Sequence, residues 1–163
     1  MHTVNCDLGV AAIVRRARTV LLVQEAHGRY KGHWGLPKGY VNDDEMPSKA
    51  VLRELKEECN VQGTVTGVQS IRERLQDGTP AIFIAYLVEL DSSATPTAGE
   101  EVLQTRFVNA NEFSSLEWIS DAMHSMAISA VNSNQSLRTI DYERQRGHPY
   151  MLHTLPKSWG GEA

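Results

Sequence analysis

Three glutamates, Glu54, Glu57 and Glu58, fall at i, i+3 and i+4 in the stretch GYVNDDEMPSKAVLRELKEECNV, so on a helix their carboxylates share one face. Val51, Leu52, Leu55 and Cys59 recur at helical spacing and supply a buried stripe opposite them. Pro47 suits the first helical position, and Asp43, Asp44 and Glu45 place negative charge near that end. The acidic face is costly. Like charges at this spacing destabilise a helix by roughly 0.2–0.5 kcal/mol per pair. These also stand in the last turns, where the helix dipole favours cations by about 0.3–1 kcal/mol each. Arg53 and Lys56 offset part of the penalty, and a hard divalent cation would remove it, since Mg²⁺ takes oxygen ligands and keeps several waters. Three glutamates taken alone also fit an ordinary solvated face.

The wider segment decides between the two. It matches the pattern G-x(5)-E-x(7)-R-E-U-x-E-E-x-G-U, with U aliphatic, at Gly39, Glu45, Arg53, Glu54, Leu55, Glu57, Glu58 and Val61. On these residues the chain resembles the Nudix hydrolases. Asn60 stands where the family has Gly; a residue just past a helix end often adopts the left-handed conformation, for which Asn is the next choice. The resemblance covers roughly residues 8–134 and implies an α/β/α sandwich with a mixed β-sheet between helices.

It also implies an Mg²⁺-dependent pyrophosphohydrolase, with Mn²⁺ able to substitute. Its substrate would be a nucleoside diphosphate linked to another moiety: a nucleoside triphosphate, an ADP-sugar or a dinucleoside polyphosphate. Glu57 and Glu58 are then direct metal ligands, and Glu54 a further ligand or the base for the attacking water. The backbone carbonyl of Lys38 completes the metal shell, Arg53 holds a neighbouring glutamate in orientation, and Glu45 is structural. Family members often recruit one more acid from a distant loop; Glu100, ahead of Glu101, is the expected residue. Such crowding should raise at least one carboxylate pKa until metal arrives. The competing class is a catalytically inactive Nudix-fold nucleotide sensor or protein-binding module.

Substrate contacts are read from residue type. Lys38, in the sequence LPKG found in some dinucleoside polyphosphate hydrolases, reaches a phosphate or is a surface charge. Arg72 and Arg74 alternate on an expected strand and face one side together, suited to phosphate or to solvent. Tyr30 and Trp34 have the rings to stack on a base, although Trp34 equally fits packing. His27, His33, His124, His148 and His153 show no ligand spacing.

The elements that must position these residues follow from periodicity. Residues 9–15 and 19–25 are apolar strands, read as a hairpin joined at Arg16–Ala17–Arg18. A glycine-rich loop, AHGRYKGHWGLPKG, then leads into the acidic helix and forms one wall of the site. Residues 64–76 and 79–90 form a long hairpin turning at Asp77–Gly78, and residues 102–109 a further strand. Residues 112–134 carry helical periodicity, as a short helix and then a longer one. The domain is thus residues 1–134. The extension 135–163, with its prolines and with aromatics such as Tyr150 and Trp159, packs on the domain or lies at the interface of a homodimer.

With 163 residues, 41% apolar and 22% charged, the chain is long enough for one domain with a proper core. A formal charge of −4 supplies no footprint for nucleic acid or an anionic membrane, so a polyanionic substrate needs local cations. Cys6 and Cys59 lack metal-ligand spacing, and Cys59 sits on the apolar stripe. The first residues, MHTVNCDLG, do not read as a secretory signal, and the longest apolar run, residues 81–88, is too short to span a bilayer. A cytoplasmic protein with a nucleotide-type small-molecule substrate is the expectation.

Overall fold

In the computed structural model, residues 2–155 are described. The strands are β1 (Asp7–Ile13), β2 (Arg15–Arg16), β3 (Thr19–Glu25), β4 (Trp34–Gly35), β5 (Lys38–Tyr40), β6 (Gly63–Gln76), β7 (Thr79–Leu90), β8 (Val102–Asn109), β9 (Leu137–Asp141) and β10 (Met151–Thr154). Helix α1 (Pro47–Cys59) precedes β6, α2 (Asp121–Asn132) follows β8, and the short α3 (Glu143–Arg146) separates β9 from β10. One sheet runs β10-β9-β6-β7-β1-β5, with β1 parallel to β7 and the other pairs antiparallel, so it is mixed. In the second sheet β3 pairs antiparallel with β2, β4 and β8.

The sandwich follows from a two-residue alternation. Val10, Ala12 and Val14, with Leu21 and Val23, bury one set of side chains against Val51, Leu55 and Cys59 of α1. Ala11, Ile13, Val20 and Leu22 point the other way, into a core shared with Met123, Met126, Ala127 and Ala130 of α2. Apolar strands are thus covered on both faces by one helix each. This is the α/β/α arrangement.

The long hairpin turns at Asp77–Gly78, both with positive φ (51° and 78°), as a two-residue turn between right-twisted strands requires. The first expected hairpin is corrected. β1 does not pair with β3; it lies between β7 and β5, and the fold-back onto Thr19–Leu21 is made by the residues after β1, Val14 through Arg16. The reason is burial: Val10 through Ile13 have no exposed surface, which demands neighbours on both edges as well as on both faces. The glycine-rich segment is likewise less irregular than expected, contributing β4 to one sheet and β5 to the other. Beyond residue 134 the chain adds β9 to the edge of β6, through Gly67–Arg138 and Val68–Leu137, and β10 to β9. Trp159 lies outside the described residues. Among the described residues no helix is long and apolar enough to cross a membrane.

Candidate metal and phosphate site

Helix α1 starts with Pro at its first turn and ends at Asn60, whose φ of 55° and ψ of 29° are left-handed. The Asn60 N–H donates to the Lys56 carbonyl at 3.0 Å, and its Nδ2 donates to the Thr97 carbonyl at 3.1 Å. Thr97 and Gly99 return the contact, donating their N–H groups to the Cys59 and Glu58 carbonyls at 2.9 Å each. Helix-end carbonyls that would lack partners are thereby satisfied by the loop before β8. Any Cβ at Gly99 would overlap the Glu57 carbonyl oxygen, so the close approach needs glycine.

The acidic face of α1 is less solvated than its composition implies. Glu58 is 4% exposed and Glu54 8%, while Glu57 remains open to solvent. Oε2 of Glu58 accepts the Lys38 backbone N–H at 2.9 Å. Burial pushes the Glu58 carboxyl up to about 8, with Lys38 pulling down and the charges of Glu25 and Glu54 pushing up. Burial also raises Glu54, against the lowering effect of Arg53.

Arg53 organises the remainder. Its Nε and Nη2 form a fork on the two oxygens of Glu45 at 2.9 and 3.0 Å, and Nη2 also donates to the Tyr40 carbonyl at 2.9 Å. Nη1 donates to Glu54 at 2.6 Å and to Glu57 at 3.2 Å. The hydrogen bond to Glu45 leads the effects that hold the guanidinium protonated above its ordinary range, and the same bond lowers the Glu45 carboxyl.

Strand β5 separates these acids from a groove. Gly39 offers a bare α-carbon to Glu54; a Cβ there would overlap the Glu54 carboxyl group. Lys38 and Tyr40, its neighbours, alternate to the other side and line a pocket of about 230 Å³. A second pocket, of about 330 Å³, adjoins it toward α2. Lys38, Arg72, Arg74 and Phe83 border both, and the Arg72 guanidinium lies 5.4 Å from the Phe83 ring centre. The Lys38 ammonium is ion-paired with Glu25 at the end of β3.

Of the residues singled out in the sequence, Arg53, Glu54, Glu57, Glu58 and the Lys38 backbone form one contiguous cluster, and Lys38, Arg72 and Arg74 line the groove beside it. Trp34 lies elsewhere. It is 6% exposed, packs in the α2-side core under the Arg106 guanidinium, and borders neither pocket. Glu100 and Glu101 are exposed at the end of the loop fastened to α1. Glu101, rather than Glu100, is among the charges that raise Glu54, and its carbonyl accepts the Ala26 N–H at 3.3 Å. Glu25, Tyr40 and Phe83 did not emerge from the sequence. Strand register brings Tyr40 and Phe83 in, through the row Arg72–Phe83–Gly9–Tyr40 across four strands.

Among the described residues no three His, Cys, Asp or Glu side chains converge closely enough to enclose a metal ion as they stand. Arg53 spans Glu54 and Glu57, and Glu58 is turned to the Lys38 N–H. The donor set nonetheless suits a hard divalent cation. It consists of carboxylates, one of them buried with a single backbone donor, and Gly39 lets the Glu54 carboxyl lie directly against the β5 backbone.

Comparison with known proteins agrees with this layout. A family model, the NUDIX domain, matches residues 7–127. The human 8-oxo-dGDP phosphatase NUDT18 is 25% identical over 147 residues, which are 90% of this chain and 42% of that protein. The ADP-ribose pyrophosphatase of Methanocaldococcus jannaschii is 28% identical over 112 residues, 67% of this chain and 65% of that one. The chain therefore spans less than half of the human protein and just under two thirds of the archaeal one. A NUDIX hydrolase crystal structure from Nitrosomonas europaea shares the fold, with a TM-score of 0.69 at 21% identity, covering 91% of this chain and 77% of that one. The chain belongs to the Nudix domain family.

Proposed function

We propose that this chain is a divalent-metal-dependent pyrophosphohydrolase acting on a nucleoside diphosphate linked to another moiety. The observation that carries the reading is the buried Glu58–Glu54 pair behind Gly39, one strand away from a groove lined by Lys38, Arg72 and Arg74. Acid and cation sites on the two sides of a three-residue strand match what phosphoanhydride cleavage needs. The human and archaeal relatives named above, a phosphatase of 8-oxo-dGDP and a pyrophosphatase of ADP-ribose, support the substrate class.

Glu54, Glu57, Glu58 and the Lys38 carbonyl would hold Mg²⁺, or Mn²⁺ in its place, with an acid from the 100–101 pair as a further donor. When bound, the metal supplies charge neutralisation at the phosphate oxygens and an acidified water. Arg72 and Arg74 bind and orient the phosphates beside Lys38, whose ammonium is held by Glu25. Glu54 receives the proton of the attacking water; the water oxygen bonds to phosphorus as the bridging oxygen departs with the second product. Arg53 keeps Glu54 and Glu57 in place while Glu45 anchors Arg53 from behind.

The test is product release from ATP, dGTP, 8-oxo-dGTP, ADP-ribose and diadenosine tetraphosphate, with and without Mg²⁺. Metal-dependent release of a nucleoside monophosphate from one of them is the expected result. Nucleotide binding without cleavage of any would contradict the reading and match an inactive sensor.

A further inference from the structure

The groove has two compartments of different chemistry that share one charged centre. In the row Arg72–Phe83–Gly9–Tyr40 the Phe83 ring leans over Gly9, where a Cβ would meet it at 2.6 Å. The ring and the Arg72 guanidinium above it form a ridge bordering both pockets. On the α2 side the wall is Ile119, Met123 and Met126 with Tyr30 at the mouth, an apolar and polarisable surface suited to the flat face of a base. On the other side stand Asp7 and Tyr40 with Ile82. Among the described residues Asp7 forms no ion pair, so its carboxylate is a free acceptor.

Charge limits what spans the ridge. Lys38 is engaged by Glu25, and neither Arg72 nor Arg74 forms an ion pair among the described residues. The two free guanidiniums stand at the centre shared by both compartments, where a bridging diphosphate would lie. A nucleoside triphosphate would bring further negative charge toward Asp7 and leave the Tyr40 hydroxyl without a sugar to bond. A hydroxyl-rich group in that compartment donates to Asp7 and exchanges hydrogen bonds with Tyr40.

We propose that the groove selects two-ended substrates, with the base on the Met123–Met126 side, the diphosphate on Arg72 and Arg74, and an uncharged sugar between Asp7 and Tyr40. The chain thereby prefers nucleoside diphosphate sugars to nucleoside triphosphates. The inference rests on the hydrolase reading and narrows its substrate.

Its test compares kcat/KM for ADP-ribose, ADP-glucose and ATP in wild type and Asp7→Ala. The wild type should favour both ADP-sugars over ATP by about tenfold or more, and Asp7→Ala should move that ratio toward ATP by about fivefold. The ratio is taken on one preparation, so a partly unfolded variant does not distort it. Preference for ATP in the wild type, or an unchanged ratio in the variant, overturns the inference while leaving the hydrolase intact. If none is cleaved the hydrolase reading falls, and the same ratio is read from dissociation constants for ADP-ribose and ATP; equal constants overturn the compartment assignment as well.

Discussion

The backbone N–H of Lys38 points at the carboxylate of Glu58 across 2.9 Å, and it is the donor that a nearly fully buried acid has in this structure. A carboxylate so placed holds its proton in the metal-free fold. Its pKa of about 8, against an ordinary 4.5, means that the folded chain binds that proton more tightly than the unfolded chain. The stability contributed by the protonated group is therefore complete below pH 4.5 and lost as pH rises through about 8. In EDTA, Glu58→Gln should gain on wild type across that window, reaching roughly 1–3 kcal/mol at its alkaline end. Denaturant titrations of both proteins at several pH values provide the difference curve, in which other titrating groups cancel. A flat difference would contradict the burial of an uncompensated acid.

Arg53 is held at four acceptors, so its removal should act on folding and on chemistry together. Arg53→Ala should lose about 1–3 kcal/mol by denaturation and more than about tenfold in kcat. Lysine cannot reproduce the fork on Glu45, and Arg53→Lys should recover less than half of either loss. Full recovery with lysine would mean that charge alone matters.

Asn60 does more than tolerate a left-handed turn. Its amide ties the end of α1 to Thr97, in the loop that leads to Glu101. Asn60→Gly keeps the backbone conformation and drops the tie, a loss of about 0.5–1.5 kcal/mol. Asn60→Val also meets the steric penalty at φ 55° and should lose about 1–3 kcal/mol more. Amide exchange at Thr97 and Gly99 should quicken in both variants; unchanged exchange would show that the loop is held by other contacts.

The fold was legible where periodicity and turn chemistry act locally. The helix over Val51, Leu55 and Cys59, the hairpin at Asp77–Gly78 and the strand 102–109 each follow from residues within a few positions of one another. Pairing was not, because β1 and β3 are both apolar runs separated by a short basic turn, and nothing in their composition says that they join different sheets. Within the site, the acids were legible from their spacing, whereas Phe83 and Asp7 reach the groove, and Glu25 reaches Lys38, through register and topology. Trp34 illustrates the converse: its type fits either stacking on a base or packing, and its side chain is buried in the α2-side core.

If the acidic face of α1 holds the divalent cation that drives cleavage, Mn²⁺ titration of wild type and Glu57→Gln by calorimetry, paired with turnover of the same samples, will show it. The wild type should bind Mn²⁺ and turn over. Glu57→Gln, exposed and free of packing consequences, should stay folded while losing about 10–100-fold in metal affinity and more than about 100-fold in kcat. Undiminished Mn²⁺ affinity and turnover in Glu57→Gln would contradict the account.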